Sequence, residues 1–195
     1  MKWVGIDIGQ KRHGAVIFDT ATKQIVACSV FYRPTDIINY ISQFIQPDEP
    51  FVVFYEVPTP YGQSATSLFV TAANLGATLV AISSKFPRVS FKFFPRPYIK
   101  LILLGTVKGK DKDIRDFLKN WWSNKLTGVR IKADAWAALA VLTAALIEPT
   151  EPDYEIVRMW REFAELWCPS VIPQDDSDVI QKLLTEVNTS AKSTS

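Results

Sequence analysis

WVGIDIG, residues 3–9, sets one carboxylate, Asp7, at the end of an apolar run. Two further runs repeat the pattern: FVVFYEVP at 51–58 carries Glu56, and DAWAALAVLTAALI at 134–147 opens on Asp134. A charge at the end of a buried strand or helix is costly unless something compensates it, and a divalent cation with oxygen ligands is a common compensation. The three acids therefore mark a candidate metal site. Each also has a plainer reading. Asp7 can be satisfied by backbone amides, Glu56 can sit at a solvent edge, and Asp134 can cap the last apolar helix. Gly5 and Gly9 flank Asp7 and leave room for a phosphate backbone to approach.

Working outward, residues 2–8, 13–19 and 24–32 are apolar-biased runs separated by turn signals, which predicts an antiparallel meander. Pro34 starts a short helix carrying Ile37, Ile38, Ile41, Phe44 and Ile45 at helical spacing. FVVFYE is a continuous apolar strand, buried on both faces. Residues 58–63 form a loop, 64–82 an Ala- and Leu-rich helix in which Gly76 leaves room for another element, and 91–94 a short strand stopped by Pro95 and Pro97. A helical turn at 98–104 leads into the GTVKGKDKD loop. Asp111 or Asp113 then caps a helix running to Trp122, and 131–147 is the helix that carries Asp134. Trp121 and Trp122 are adjacent, so only one can face the core. His13, the sole histidine, is read as structural or exposed.

The 195 residues suit one α/β domain with an appendage. Expected boundaries are 1–148 for the domain, 149–187 for an acidic helical extension with helices near 153–167 and 176–187, and 188–195 for a disordered tail. The net charge of +2 conceals an asymmetry, because Lys and Arg exceed Asp and Glu by 8 in residues 1–147 and fall short by 6 in 148–195. Residues 85–132 alone hold 13 basic against 3 acidic side chains. That is the footprint of a phosphate-backbone binder, or a solvated basic face. No leader peptide and no run of about 18 apolar residues is seen. Cys28 and Cys168 lack CxxC spacing and read as reduced thiols, so a cytoplasmic protein without a membrane partner is expected.

The three acids, in this order and on these elements, resemble the carboxylate constellation of RNase H-like nucleases. GIDIG alone also occurs in actin-like ATPases, but that fold needs a second lobe and phosphate loop not found here. With RPYIKLILLGTVKGKDKDIRDF at 96–117 and KADAWAALAVL at 132–142 added, residues 1–147 resemble the RuvC-like Holliday junction resolvases, most closely the short divergent kind found in phages.

The resemblance implies an RNase H-like fold, a mixed five-stranded sheet flanked by helices. It also implies a homodimer that cuts four-way DNA junctions by paired symmetric nicks, leaving 5′-phosphate and 3′-hydroxyl ends. Two Mg²⁺ or Mn²⁺ ions per active site would be held by Asp7, Glu56 and Asp134. Lys100 is implied in catalysis, and Arg96, Lys100, Lys108, Lys110, Lys112 and Arg115 in phosphate contact. Tyr61 either stacks on an unpaired base, as the resemblance implies, or is an exposed ring in a tight turn. The family's fourth ligand stands three residues before the helix Asp, where this chain has Ile131; either three carboxylates suffice, the favoured expectation, with Asp111 and Asp113 as caps, or another residue such as Asp111 or Asp113 folds into the site. Rival readings are an RNase H-like nuclease for other branched DNA, RNA–DNA hybrid or RNA, and a catalytically silent nucleic-acid-binding module.

Overall fold

The computed structural model describes residues 1–60, 64–123, 131–132 and 134–167. The three N-terminal runs form β1 (Lys2–Ile8), β2 (His13–Asp19) and β3 (Gln24–Phe31), paired antiparallel as their alternation and short turns predict. Helix α1 (Pro34–Ile41) leads to β4 (Phe51–Val57), and α2 (Ala65–Lys85) leads to β5 (Val89–Pro95). β4 pairs parallel with β1 and β5 parallel with β4, giving one sheet in the order β3-β2-β1-β4-β5. β5 is longer than the run Phe91–Phe94 suggests. As an edge strand it tolerates Pro95 at its end.

Helices α3 (Arg96–Leu104), α4 (Asp111–Trp121), α5 (Ala135–Ile147) and α6 (Glu155–Trp167) complete the described elements. Side chains alternate along each strand, so the sheet has two cores. Val4, Ile6, Val53 and Tyr55 pack on α1, α2 and α6. Trp3, Val16, Phe54 and Phe94 pack on α3, α4 and α5. Asp7 and Glu56 share the parity of Trp3 and Phe54, so both acids emerge on the α5 side of the sheet.

α5 lies unusually close to that side because the residues beneath it lack side chains. A Cβ on Gly5 would overlap the Ala138 carbonyl oxygen and stand 2.8 Å from Leu142 Cβ. One on Gly14 would overlap the Asp134 carbonyl oxygen. Gly5 is thus covered by helix and does not open a path for phosphate, contrary to the expectation above. Gly9 instead closes the β1–β2 turn, its N–H donating to the Arg12 carbonyl at 3.1 Å. Above this contact, Thr143 on α5 accepts a 2.9 Å hydrogen bond from the indole of Trp122 and donates to the Leu139 carbonyl. Trp122 is the core tryptophan, while Trp121 stacks on Phe117.

The acidic extension is tied to the edge strand. Glu151 accepts from the Phe93 N–H at 2.6 Å and pairs with Arg161, while Lys92 Nζ donates to the Pro149 carbonyl. Val157, Trp160 and Ala164 of α6 enter the core beside α2, and Phe163 lies against Gly76. α2 is long and apolar enough to cross a membrane, by length and composition. Here its Leu75, Leu79 and Ile82 are buried on the sheet while Phe69 faces outward. The expected helix at 176–187, the tail at 188–195, Cys168 and Tyr61 lie outside the described residues.

The glycine contacts make a direct prediction. Gly5→Ala or Gly14→Ala should force α5 off the sheet and cost about 1–3 kcal/mol, lowering the melting temperature by roughly 2–12 °C. A thermal melt of either variant that matches the unmodified chain would show that α5 does not sit on these glycines.

Candidate active site

Asp7 and Glu56 stand near the C-terminal ends of adjacent parallel strands, the edge where open α/β sheets place their ligands. Asp134 comes to the same place from above, because the carbonyl of its own residue rests on Gly14 and Gly14 is the cross-strand partner of Asp7. Asp134 occupies the N-cap position of α5, yet its side chain makes no capping hydrogen bond and faces the cavity instead.

That cavity encloses about 490 Å³ and is lined by Asp7, Glu56, Asp134 and Asp111, together with Arg96, Arg115, Val57, Pro58, Thr59, Ile114, Trp136 and Ala137. Asp111 belongs to it rather than to a helix cap. The α4 cap is made by Asp113, whose carboxylate accepts from the Lys110 N–H at 2.7 Å. Asp111 instead turns to Arg96.

The charges are unevenly compensated. Arg96 follows β5 directly, and its guanidinium forks between two acids, with Nη1 to Glu56 Oε2 and Nη2 to Asp111 Oδ1, both at 2.8 Å. The Arg96 hydrogen bond holds Asp111 below its ordinary pKa. Burial raises Glu56, against the pull of Arg96. Arg12 Nε stands 3.0 Å from Asp134 Oδ2, but the geometry is not that of a hydrogen bond, and this buried oxygen accepts none. Asp7 has no arginine of its own among the described residues. Burial, and then the neighbouring Glu56 carboxylate, pushes it from its ordinary 3.8 up to about 8.

The donor set suits a hard divalent cation. It offers oxygen ligands only, a buried central carboxylate beside Glu56, and a buried Asp134 oxygen with no hydrogen bond among the described residues. Among the described residues, however, no three acidic, His or Cys side chains converge around a single point. In this conformation the carboxylates line the cavity without closing on its centre.

The other expected residues are distributed more widely. Arg115 lines the cavity. Lys100, on α3, lies outside the lining, although its charge is felt by Glu56 and Asp111. Lys108 and Lys110 are exposed on the loop after Gly105, which ends α3 in the left-handed conformation, and Lys112 is exposed on the first turn of α4. Ile131 precedes α5 rather than sharing a face with Asp134, and packs against the α5-side core. His13 is buried on β2 with its Nδ1 unpartnered, and burial lowers its pKa despite Asp134. Sequence reasoning missed Arg12 and held a place for Asp111 in the site only as the less favoured alternative to a cap. For Arg12 the available signal was its place in the turn directly after the Asp7 strand.

Two solved structures share this architecture. The Thermus thermophilus RuvC structure superposes with a TM-score of 0.55 at 16% identity, covering 74% of this chain and 92% of that one. The T. thermophilus RuvC in complex with Holliday junction substrate superposes with a TM-score of 0.55 at 15% identity and the same coverage. No protein-family model and no curated protein matches the chain. At such identity the likeness establishes the fold: a mixed five-stranded RNase H-like sheet flanked by helices.

The raised pKa of Asp7 has a thermodynamic consequence. A carboxyl whose folded pKa lies above its unfolded value destabilises the fold as pH rises from that unfolded value through about 8. Asp7→Asn should therefore raise the melting temperature in EDTA, by about 2–4 °C for each kcal/mol relieved. The gain should be full above pH 8 and vanish toward pH 4. Glu56→Gln should give no such gain, because it removes a partner of Arg96. A lower melting temperature for Asp7→Asn at pH 8.5 would mean that its charge is already compensated.

Proposed function

We propose that this chain is a metal-dependent endonuclease that resolves four-way DNA junctions by paired symmetric nicks, acting as a homodimer. The observation that carries the reading is the meeting of Asp7, Glu56 and Asp134 in one cavity at the C-terminal edge of an RNase H-like sheet. The solved RuvC bound to a Holliday junction supports the substrate class. The paired cuts call for two copies, since a two-fold substrate is matched by a two-fold enzyme.

In this reading Asp7, Glu56 and Asp134 would hold divalent cations, with Asp7 as the central ligand. Cations bound there would supply an activated water and offset charge on the departing 3′ oxygen. Arg115 at the cavity wall meets the backbone near the scissile phosphate. Lys100, Lys108, Lys110 and Lys112 hold flanking phosphates, contacts that position the DNA without reading its sequence.

A synthetic four-way junction incubated with Mg²⁺, beside RNA–DNA hybrids, flaps and single strands, tests this. Symmetric nicks with 5′-phosphate ends are expected. Asp7→Asn, Glu56→Gln and Asp134→Asn should each reduce cutting by at least about a hundredfold while shifting the junction in a Mg²⁺-free gel as well as the unmodified chain does, since removing negative charge eases the approach of phosphates. Near-normal nicking by Asp7→Asn would place the chemistry elsewhere. Preference for a hybrid would favour a different RNase H-like substrate. Binding without cutting by the unmodified chain would favour a silent module, a reading that gains from the Arg96–Glu56 pairing.

Junction affinity should also fall steeply with salt. If about five phosphates are neutralised, log affinity falls with log salt at a slope near −4.5. A flat response would remove the basic block from the interface.

A further inference from the structure

Among the described basic residues, Arg96 alone is divided between two acids of the cavity. It occupies the first position of α3, where the backbone has just left β5, so its side chain emerges beside the end of β4 and Glu56. It is largely withdrawn from solvent, with 22% of its side chain exposed. Its two terminal nitrogens are divided between Glu56, itself 18% exposed, and Asp111 on the rim, 73% exposed. Its charge also reaches Asp7. The cavity thus contains a tethered cation already seated on a carboxylate expected to hold a metal.

Resting on the nuclease reading above, we propose that Arg96 is an exchangeable internal counter-ion of the metal site. In the metal-free protein it neutralises Glu56 and keeps the acids apart. When the site is loaded it releases Glu56, stays tethered at the rim by Asp111, and turns the freed nitrogen to a phosphate oxygen of the nucleic acid.

Three features support the exchange. A guanidinium at 2.8 Å on Glu56 Oε2 opposes coordination of a divalent ion by the same carboxylate, because the two cations repel at close range. The guanidinium fork fits phosphate oxygens as well as it fits carboxylates, so the released group has a matching partner in the substrate. Asp111 is exposed and belongs to a different helix from Arg96, so it anchors the side chain without closing the cavity. No bond is made or broken, and only the ion partners change.

The test is Mn²⁺ binding to the full chain without DNA, measured by titration calorimetry, with Asp7→Asn to identify the specific site. Arg96→Met removes the competing charge at similar length and should tighten Mn²⁺ at least tenfold. Arg96→Lys keeps a charge but cannot fork between two acids, and should fall between. The unmodified chain gives an independent readout: Mn²⁺ should raise the rate at which phenylglyoxal modifies Arg96, followed by mass spectrometry of its peptide. This readout and Arg96→Lys decide the matter if Arg96→Met does not fold. Equal or weaker Mn²⁺ binding by the variants, or an Arg96 left unchanged or further shielded by Mn²⁺, overturns the exchange while leaving the nuclease reading in place. Tightened Mn²⁺ binding in a protein that cuts no nucleic acid supports the exchange and removes the nuclease reading. Absence of specific Mn²⁺ binding in every protein overturns both.

Discussion

The close approach of α5 to the sheet is the contact on which the candidate site depends. Gly5 and Gly14 on neighbouring strands leave the sheet bare where the helix crosses, and backbone carbonyls of Ala138 and Asp134 fill the space. Ala-rich α5 has few bulky groups to hold it away. Its side chains are buried almost all round, which suits a helix pressed between the sheet and α3 and α4. Asp134 therefore reaches Asp7 as a consequence of backbone packing. A larger residue at either glycine would move a carboxylate as well as open a core.

Electrostatics then organises what the packing assembles. Four acids share one cavity with Arg96 and Arg115, while Arg12 approaches from the β1–β2 turn. The outer acids, Glu56 and Asp134, each face an arginine, and the central Asp7 does not. The Arg12 pair is half-exposed and contributes little to stability. The Arg96 pair is mostly withdrawn from water, so its removal would strand Glu56 as a poorly solvated charge. This asymmetry leaves Asp7 as the group with most to gain from an added cation.

The C-terminal extension serves the opposite face. α6 supplies Val157, Trp160 and Ala164 to the core, and Glu151 takes up a backbone N–H of the edge strand. An unpaired strand edge invites further pairing, and a carboxylate that occupies its N–H discourages it. The negative charge after residue 147 is thus partly consumed in holding β5. Lys100 on α3, Lys108 and Lys110 on the loop that follows, and Lys112 and Arg115 on α4 belong to the elements on the side of the sheet that carries the cavity.

The strands, their antiparallel opening and the apolar helices were legible in the sequence because period-2 and period-3.6 patterns are local properties of the chain. Asp7, Glu56 and Asp134 were legible too, since a charge ending an apolar run stands out wherever the run folds. Three things were decided only by tertiary structure. Gly5 looks like a gap for ligand until a helix is found in it. Asp111 and Asp113 are equivalent cap candidates in sequence, and only the position of Arg96, 15 residues earlier, separates a cavity wall from a cap. Ile131 looks like a vacated ligand position on a helix face, but α5 begins only at Ala135, and the half-buried residue packs against the α5-side core. In each case the deciding partner is distant along the chain and close in space, and no local pattern records a contact of that kind.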